Sequence, residues 1–363
     1  MKKDRLVVVA VAALGLLAGR ALAQTAGSSD WDARAQEAQK HAEEVQKKAE
    51  AHAAKAEKWK QKHGEEGGQQ YTERIAKTFK VGAGTALVLA NIAGDITVSA
   101  SAGDEIRLEA VKRARATTEA DAQRQLEETR IDITERPGRV EARTFHKGSG
   151  KNKVAVDYVV TAPPLTALDL RSVAGDIVVD GIKGEVRAET VSGDVTATGL
   201  AKESSLKAVS GDVTVSASAV EGELAASSVS GDVLVKAFKA RSISAGTVSG
   251  DVVMHSAACE RALARSVNGN VELMGPILKG GRYEFKSHSG DIKLLVDGKT
   301  GFEVEASSFS GNIKTELPVT VQSQSDESRY GPPNRSLVAV YGDGSAQVEI
   351  ASFSGNIIIA KKP

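Results

Sequence analysis

The chain has 363 residues, of which 41% are hydrophobic, so it can bury a core and is not a disordered segment. Aromatic residues make up 4% and glycine occurs 35 times, which favours thin, repetitive β-structure filled by Val, Ile, Leu and Ala. The formal net charge is +0 and there is one cysteine, which argues against a basic nucleic-acid binder and excludes an intramolecular disulfide.

Residues 1–23 have the layout of a secretory signal peptide. A basic start precedes an apolar run over residues 6–19, and residues 21–23 form an A-x-A cleavage site. The run is shorter than the roughly 20 residues that a transmembrane helix needs, and no cysteine follows it for lipid attachment. The sequence predicts export to the periplasm or cell surface of a bacterium, with cleavage near Ala23. Cleavage removes four basic side chains and one acidic one, which leaves a net charge of −3.

Residues 24–63 are predicted to form a charged, Ala-rich helix, because from Asp30 onward the segment is rich in Ala, Glu, Lys and Gln and lacks Gly and Pro. Apolar and Ala positions recur with a 4-3 spacing from Trp31 to Trp59, which is a coiled-coil period. An alanine seam buries little area, so a weak coiled coil and a single solvated helix both stay open. The coiled coil would make the chain a homo-oligomer.

Three histidines, His41, His52 and His63, recur on this predicted helix. Successive members would lie about 16 Å apart along the axis, far beyond the ~2 Å bonds of a shared zinc ion. No metal site is therefore predicted there. Residues 64–71 are polar and rich in glycine, which predicts a flexible linker.

From residue 72 to 363 the pattern changes to short segments of period-2 alternation, which predict β-strands. One helix is predicted to interrupt them, with Thr118 as its N-cap, Asp121 three residues later, and an end near Glu128. A second irregularity is the interval of 44 residues between Gly311 and Gly355. It is interpreted as two turns with a polar loop, residues 322–336, extending from one of them.

The architecture is decided by a turn of the type V-S-G-D-V, which recurs ten times. Between Gly175 and Gly311 its glycines are 18 to 21 residues apart, a period typical of solenoids, with room for two short strands. An antiparallel sandwich is the alternative, but it would not need the same turn repeatedly. The sequence therefore predicts a mainly β fold: a parallel β-solenoid (β-helix) of about ten turn repeats, preceded by a long N-terminal helix and containing one short helical insertion. The residues of this structural turn ladder are Gly94, Asp95, Gly175, Asp176, Gly193, Asp194, Gly211, Asp212, Gly231, Asp232, Gly250, Asp251, Gly269, Asn270, Gly290, Asp291, Gly311, Asn312, Gly355 and Asn356.

Glycine at these turns indicates a backbone with positive φ, and the Asp or Asn that follows offers a side-chain oxygen to a turn N–H. A calcium ladder is the alternative, because carboxylates stacked about 4.8 Å apart repel by ~1 kcal/mol even in water. Calcium-binding β-rolls, however, repeat several glycines with Asp in a nonapeptide, and three copies here have Asn. A recurring oxygen, rather than a charge, is thus indicated. We expect no metal and no cofactor.

The sequence resembles the bacterial DUF4097 family of β-strand repeat proteins, described as adhesins, from Phe79 to Ile359. The resemblance rests on the G-D/N-I/V turns, on the predicted helix over 118–128, and on the strand V-D-Y-V-V-T-A-P at 156–163. It implies an exported or surface β-solenoid without assigned enzymatic residues. The predicted N-terminal helix is not part of the family pattern.

Side chains that could serve in catalysis are dispersed over separate repeats, so no catalytic site is predicted. They are Glu185, Glu223, Glu272, His146, His255 and His288. Cys259 is interpreted as a small buried hydrophobe, with intermolecular pairing as the alternative.

The sequence favours a non-enzymatic cell-envelope solenoid that acts as an adhesin or binding scaffold, because stacked rungs give a rigid extended face. A self-assembling envelope scaffold or an envelope-stress sensor is the alternative, and a carbohydrate-active enzyme is disfavoured by the dispersed acids. The expected partner is an envelope protein or polymer of unknown identity, and not a nucleic acid.

Overall fold

The computed structural model describes residues 69–82, 84–147, 154–327 and 334–362. The predicted signal peptide, the predicted N-terminal helix and most of the predicted linker lie outside these residues. Within the described part, no helix is both long and apolar enough to cross a membrane.

The described chain is mainly β, as predicted, with one helix, α1 (Glu119–Glu128). Along its strands every second residue is buried, because apolar side chains alternate with polar ones in the sequence. The strands in the first half are β1 (Gln69–Lys80), β2 (Ala86–Ala93), β3 (Ile96–Ala100), β4 (Glu105–Ala116), β5 (Thr129–Arg136), β6 (Arg139–His146), β7 (Ala155–Ala162), β8 (Ala167–Ala174), β9 (Ile177–Asp180), β10 (Val186–Ser192), β11 (Val195–Thr198), β12 (Ser204–Ser210) and β13 (Val213–Ala219). Those in the second half are β14 (Glu223–Ser227), β15 (Val233–Ser249), β16 (Val252–Asn268), β17 (Val271–Gly275), β18 (Arg282–Ser289), β19 (Ile292–Val296), β20 (Phe302–Ser308), β21 (Ile313–Thr315), β22 (Thr320–Glu327), β23 (Asn334–Tyr341), β24 (Ala346–Ser354) and β25 (Ile357–Lys361).

Each repeat forms one rung of a parallel solenoid: a strand before the Gly-Asp turn, the turn itself, and a strand after it. Strands before the turn pair in parallel in one column, β8–β10–β12–β14. Strands after the turn pair in a second column, β9–β11–β13–β15. β15 and β16 are each 17 residues long and contribute to both columns. The parallel stacking predicted from the turn repeat is confirmed.

The core lies between the two columns and is filled by aliphatic side chains from successive rungs. Val195, Val213, Val233 and Val252 pair in register, and each is 0% exposed. The next residue along β13, Thr214, faces outward and is partly exposed. Burying one such valine is worth about 1.5–3 kcal/mol, so every added rung stabilises its neighbours.

The rungs do not all follow chain order. Near the N-terminal end, β2 lies between β6 and β8. Near the C-terminal end, β24 lies between β18 and β20, and β25 lies between β19 and β21. The rung that contains Gly355 is therefore inside the rung that contains Gly311. The chain builds the outermost rung first and then returns to fill the position beneath it.

The predicted polar loop over residues 322–336 is wrong. On either side of residues 328–333, the chain forms the antiparallel strands β22 and β23, and β23 pairs antiparallel with β20. The hydrophobic residues Leu337 and Ala339 of β23 are buried, so this strand covers the outermost rung. The long interval between two turn glycines thus contains a cap for the end of the solenoid.

The other end is also closed by antiparallel strands, since β4 pairs with β7 and β1 pairs with β4. β1 begins at Gln69, inside the predicted linker and ahead of the predicted boundary at residue 72, because its full length pairs with β4. The helix α1 has Thr118 as its N-cap, whose side chain accepts the Asp121 N–H as predicted, and it buries Ala122. Capping strands of this kind cover strand edges of the outermost rungs with which other chains could otherwise pair.

Candidate interaction surface

The predicted turn glycines lie in one column, where successive rungs approach closely. The eight from Gly94 to Gly290 have φ values between 105° and 155°. At Gly211, a Cβ atom would overlap the carbonyl oxygen of Gly193 on the neighbouring rung. Glycine is therefore required there both by the backbone conformation and by lack of space.

The residue after each turn glycine builds a ladder of hydrogen bonds between rungs. Its Oδ1 atom accepts the backbone N–H of the equivalent residue on the next rung, as Asp212 does from Asp232 at 2.7 Å. Asparagine makes the same bond, since Asn270 Oδ1 accepts from Asp291 at 2.9 Å. The side-chain oxygen thus acts between rungs rather than within its own turn. This Asp ladder starts at Asp157 in β7 and includes Asp95, Asp176, Asp194, Asp212, Asp232, Asp251, Asn270, Asp291, Asn356 and Asn312, in rung order.

A second row of hydrogen bonds, not predicted from the sequence, lies beside the Asp ladder. The residue three positions before the glycine is a buried Ser or Thr on most rungs, and its hydroxyl donates to the glycine carbonyl of the neighbouring rung. Thr247 donates to Gly231 O at 2.8 Å, and Ser266 donates to Gly250 O at 3.0 Å. The recurrence of a small hydroxyl residue in an otherwise aliphatic strand is the signal that could have revealed it.

An exposed apolar stripe runs along the stack at the position two residues before each turn glycine. Six valines on consecutive rungs, from Val173 to Val267, are each 43 to 51% exposed. Single exposed valines are common on protein surfaces, but a continuous row of them is a patch of the kind that marks interaction sites. The apolar stripe consists, in rung order, of Ile92, Val173, Val191, Val209, Val229, Val248, Val267, His288, Phe353 and Phe309.

The C-terminal end of the apolar stripe is aromatic. His288 and Phe353 are stacked with ring centroids 4.8 Å apart, and Phe353 and Phe309 are stacked at 4.7 Å. These separations equal the distance between rungs, so the rings continue the row of valines. Ten rungs at a spacing of about 4.8 Å make the stripe about 43 Å long.

The two sides of the apolar stripe differ in charge. On the turn side, the carboxylates of the Asp ladder beyond Asp157 form no ion pair with any described residue. On the other side, four residues before the glycine, three of the four basic side chains, those of Arg171, Arg265 and Lys286, have acidic partners, and Lys207 is exposed without an ion pair to a described residue. Arg265 contacts Glu284 at 2.7 Å, and Lys286 lies between Glu284 and Glu349 at 2.8 and 3.0 Å. Hydrogen bonds from Lys286 and then Arg265 hold the pKa of Glu284 below its ordinary value. The unbalanced charge beside the stripe is therefore negative.

Two of the candidate acids come together in the structure. Glu185 and Glu203 immediately precede β10 and β12, Glu223 begins β14, and the three line one shallow groove. No histidine lines this groove, and the basic residues in it are Arg139 and Arg187. The three carboxylates therefore form a solvated acidic row.

The remaining candidates lie apart from that row. His255 Nε2 contacts Glu272 Oε1 at 2.8 Å on the adjacent rung. Burial lowers the pKa of His146 below its ordinary value, and its Nδ1 lies 3.0 Å from Thr129 Oγ1. His288 belongs to the apolar stripe. Among the described residues, no group of His, Cys, Asp and Glu has an arrangement that could hold a metal ion.

Cys259 is inside the core and is 1% exposed. Burial raises the pKa of its thiol to about 12. A neutral, buried thiol of this kind behaves as a small hydrophobe, which was the first of the two interpretations made from the sequence.

The model of the family named Toastrack DUF4097 matches residues 95–245 and again residues 222–360. No curated protein matches the chain in sequence. Among solved structures, one described as a "putative adhesin" from Bacteroides fragilis NCTC 9343 has 12% identity and a TM-score of 0.41, covering 80% of this chain and 97% of that chain. Another described as a "putative adhesin", from Parabacteroides distasonis ATCC 8503, has 12% identity and a TM-score of 0.40, covering 79% and 97%. A "Putative lipid binding protein" from the same strain has 11% identity and a TM-score of 0.32, covering 80% and 97%. These likenesses are too distant to carry an argument about what the chain binds.

Proposed function

Because the chain belongs to the Toastrack DUF4097 family, we propose that it is a non-enzymatic binding scaffold of the bacterial cell envelope, with the properties of an adhesin. The observation that carries the proposal is the apolar stripe, which leaves valines about half exposed on consecutive rungs. A contiguous apolar row in water is unfavourable unless a partner covers it.

The rigidity of the stack supports a binding role. Every rung is joined to the next by strand pairing, by the Asp ladder and, on most rungs, by a hydroxyl bond to the glycine carbonyl. The exposed side chains are therefore held at fixed spacing before a partner binds, so little conformational entropy is lost on binding.

The separation of the candidate catalytic groups supports the proposal that the chain is not an enzyme. The acidic row at Glu185, Glu203 and Glu223 has serines beside it in the same groove but no histidine to activate them, and the His255–Glu272 pair lies on other rungs. A hydrolytic site would need these groups to converge on one reacting atom.

The export part of the proposal rests on the signal-peptide pattern of residues 1–23. Mass spectrometry of the protein from native envelope fractions should find an N-terminus at or near Gln24. An intact Met1 in most molecules would contradict it.

The binding part is tested with labelled mature chain and isolated envelope fractions. We expect the parent to bind, and a variant with Val209→Ser, Val229→Ser and Val248→Ser to lose most of this binding. The matched control is Val159→Ser with Val178→Ser, since these valines are also exposed, 49% and 37%, but lie on β7 and β9, outside the stripe. A parent chain that does not bind envelope material would refute the proposed function.

Self-assembly through the solenoid is less favoured than binding of another molecule. Both ends of the stack have antiparallel strands, with β1 paired to β4 and β23 paired to β20, so the parallel rungs do not simply continue from one molecule into the next. The predicted pairing through the N-terminal helix concerns residues outside the described ones.

A further inference from the structure

We propose that the apolar stripe and the Asp ladder together form a docking surface for a cationic amphipathic segment of a partner protein, namely a helix whose apolar seam is flanked by Lys or Arg. The inference deepens the proposed binding function and rests on it. Both rows run parallel along the solenoid with one residue per rung, and they are three residues apart in the chain.

Charge determines the kind of partner. Each aspartate uses Oδ1 to accept an N–H from the next rung, and the residue stays largely solvent-exposed from Asp176 to Asp232. A carboxylate has further acceptor sites when one oxygen is already bonded, so a Lys or Arg can approach without breaking the ladder. These carboxylates have no basic partner among the described residues, and their mutual repulsion is relieved by a cation.

A second copy of the chain fits this surface less well. The basic residues on the far side of the stripe, such as Arg265 and Lys286, are already paired with Glu284 and Glu349. A second copy would therefore bring a row of unpaired carboxylates and, in the row on the far side of the stripe, Lys207 as the one cation without an ion pair to a described residue. Like charges placed opposite each other oppose association.

The spacing and the neighbouring side chains suit a helix. The apolar residues of a 4-3 seam advance about 5.2 Å each along a helix, against about 4.8 Å per rung. The mismatch over six valines is only about 2 Å, so a segment of roughly 20 residues can follow them. The row between the stripe and the Asp ladder contains exposed serines, including Ser192, Ser210, Ser230 and Ser249, which are small enough to let a backbone approach.

The test uses the full mature chain and a synthetic helix of about 20 residues with Leu in a 4-3 seam and Lys on both flanks. A second peptide has the same Leu seam and Glu in place of Lys. We expect the Lys peptide to bind at least tenfold more tightly than the Glu peptide in fluorescence anisotropy. Its affinity should fall as NaCl is raised from 0.05 to 0.5 M, because exposed charges are screened.

Two triple variants separate the contributions of the two rows. Val209→Ser with Val229→Ser and Val248→Ser should weaken binding of the Lys peptide at least tenfold. Asp212→Asn with Asp232→Asn and Asp251→Asn should weaken binding of the Lys peptide roughly tenfold and flatten its salt dependence, since three ion pairs at the surface are lost. Asn keeps the ladder bond, as Asn270 does, so the fold is retained, and an unchanged circular dichroism spectrum verifies this. Val159→Ser with Val178→Ser should bind as the parent does.

Equal affinity for the Lys and Glu peptides, or an unchanged affinity in the Asp→Asn variant, would overturn the inference. Two other results would also overturn the inference if the Lys peptide does not bind. One is dimerisation in sedimentation experiments that the valine variant abolishes. The other is binding to phosphatidylcholine vesicles that the valine variant abolishes. In either case envelope binding that depends on the valines would leave the proposed function standing. A parent chain that binds the Lys peptide but no envelope fraction would refute the proposed function instead.

Discussion

The Asp ladder makes a prediction at Asp212, in the middle of the stack. Asp212 Oδ1 accepts the Asp232 N–H at 2.7 Å, and its own N–H donates to Asp194 Oδ1 at 2.8 Å. Asp212→Asn keeps an acceptor oxygen in place and removes the charge, whereas Asp212→Ala removes both. The pair of variants therefore separates the hydrogen bond from the electrostatics.

The expected sizes follow from two opposing effects. A hydrogen bond to a charged group is worth about 1.5–3 kcal/mol and a neutral one about 0.5–1.5 kcal/mol, so Asn loses about 1 kcal/mol. Against this, repulsion from the carboxylates on the two neighbouring rungs is roughly 0.8 kcal/mol each in water, and about half of that at 0.15 M salt. Removing the charge of Asp212 relieves this repulsion and so stabilises the fold by about 1 kcal/mol. Asp212→Asn should thus change the free energy of unfolding by less than about 0.5 kcal/mol, and Asp212→Ala should lower it by about 1 kcal/mol.

The assay is urea unfolding of the mature chain at two salt concentrations. Since salt screens the repulsion, Asp212→Asn should be slightly stabilising at 0.02 M NaCl and destabilising at 0.5 M. The control is Asp180→Ala, an exposed acid outside the ladder, which should change little. Equal damage from Asn and Ala at every salt concentration would refute the role of the oxygen. A large fall in melting temperature with EDTA would instead support the calcium ladder.

Three further changes test the packing. Val213→Asp should cost several kcal/mol because it buries an unpaired carboxylate, whereas Thr214→Asp should stay within about 0.5 kcal/mol; equal damage in urea unfolding would contradict the strand register. Ala217 has a φ of 46°, so Ala217→Gly should raise the free energy of unfolding by up to about 1 kcal/mol, and a lower melting temperature would contradict this strain. The Cys259 thiol, 1% exposed with its pKa raised to about 12 by burial, should react with a thiol reagent at pH 8 only after unfolding, and rapid reaction of the native chain would place it at the surface.

The stacking was predictable from the sequence because its signal is local and repeated. A turn that needs positive φ and close approach of the backbone restricts the position to glycine, and Gly211 shows both requirements. The order of the rungs at the ends was not predictable in this way. The turns at Gly311 and Gly355 have the same sequence, F-S-G-N-I, and a turn specifies that a rung exists but not which rung lies above it. Pairing of β24 between β18 and β20 depends on contacts between distant residues.

The apolar stripe was not predicted from the sequence, although the alternation of buried and exposed residues along each strand implies it. Leu206 and Ala208 are buried in β12, so the residue after them, Val209, has to face outward. Its apolar character gives no sign of this exposure, because valine is usually buried. Exposure could have been inferred by counting outward from the column of buried residues rather than by reading each residue type alone. The Asp and Asn residues after the turn glycines, by contrast, were singled out in the sequence because Asp and Gly have strong turn preferences, but their bonds between rungs were not predicted.

The same turn that joins the rungs also sets the charge of the surface beside the stripe. The ladder needs only an acceptor oxygen, and Asn270 provides one as well as Asp212 does. Because the stronger bond to a carboxylate is offset by repulsion between rungs, stability alone does not account for a row of aspartates. Asp accompanies the valines from Val173 to Val248, whereas Asn accompanies both phenylalanines of the stripe. A partner segment that fits this pattern has its cations over the valine half of the stripe and none over the two phenylalanines.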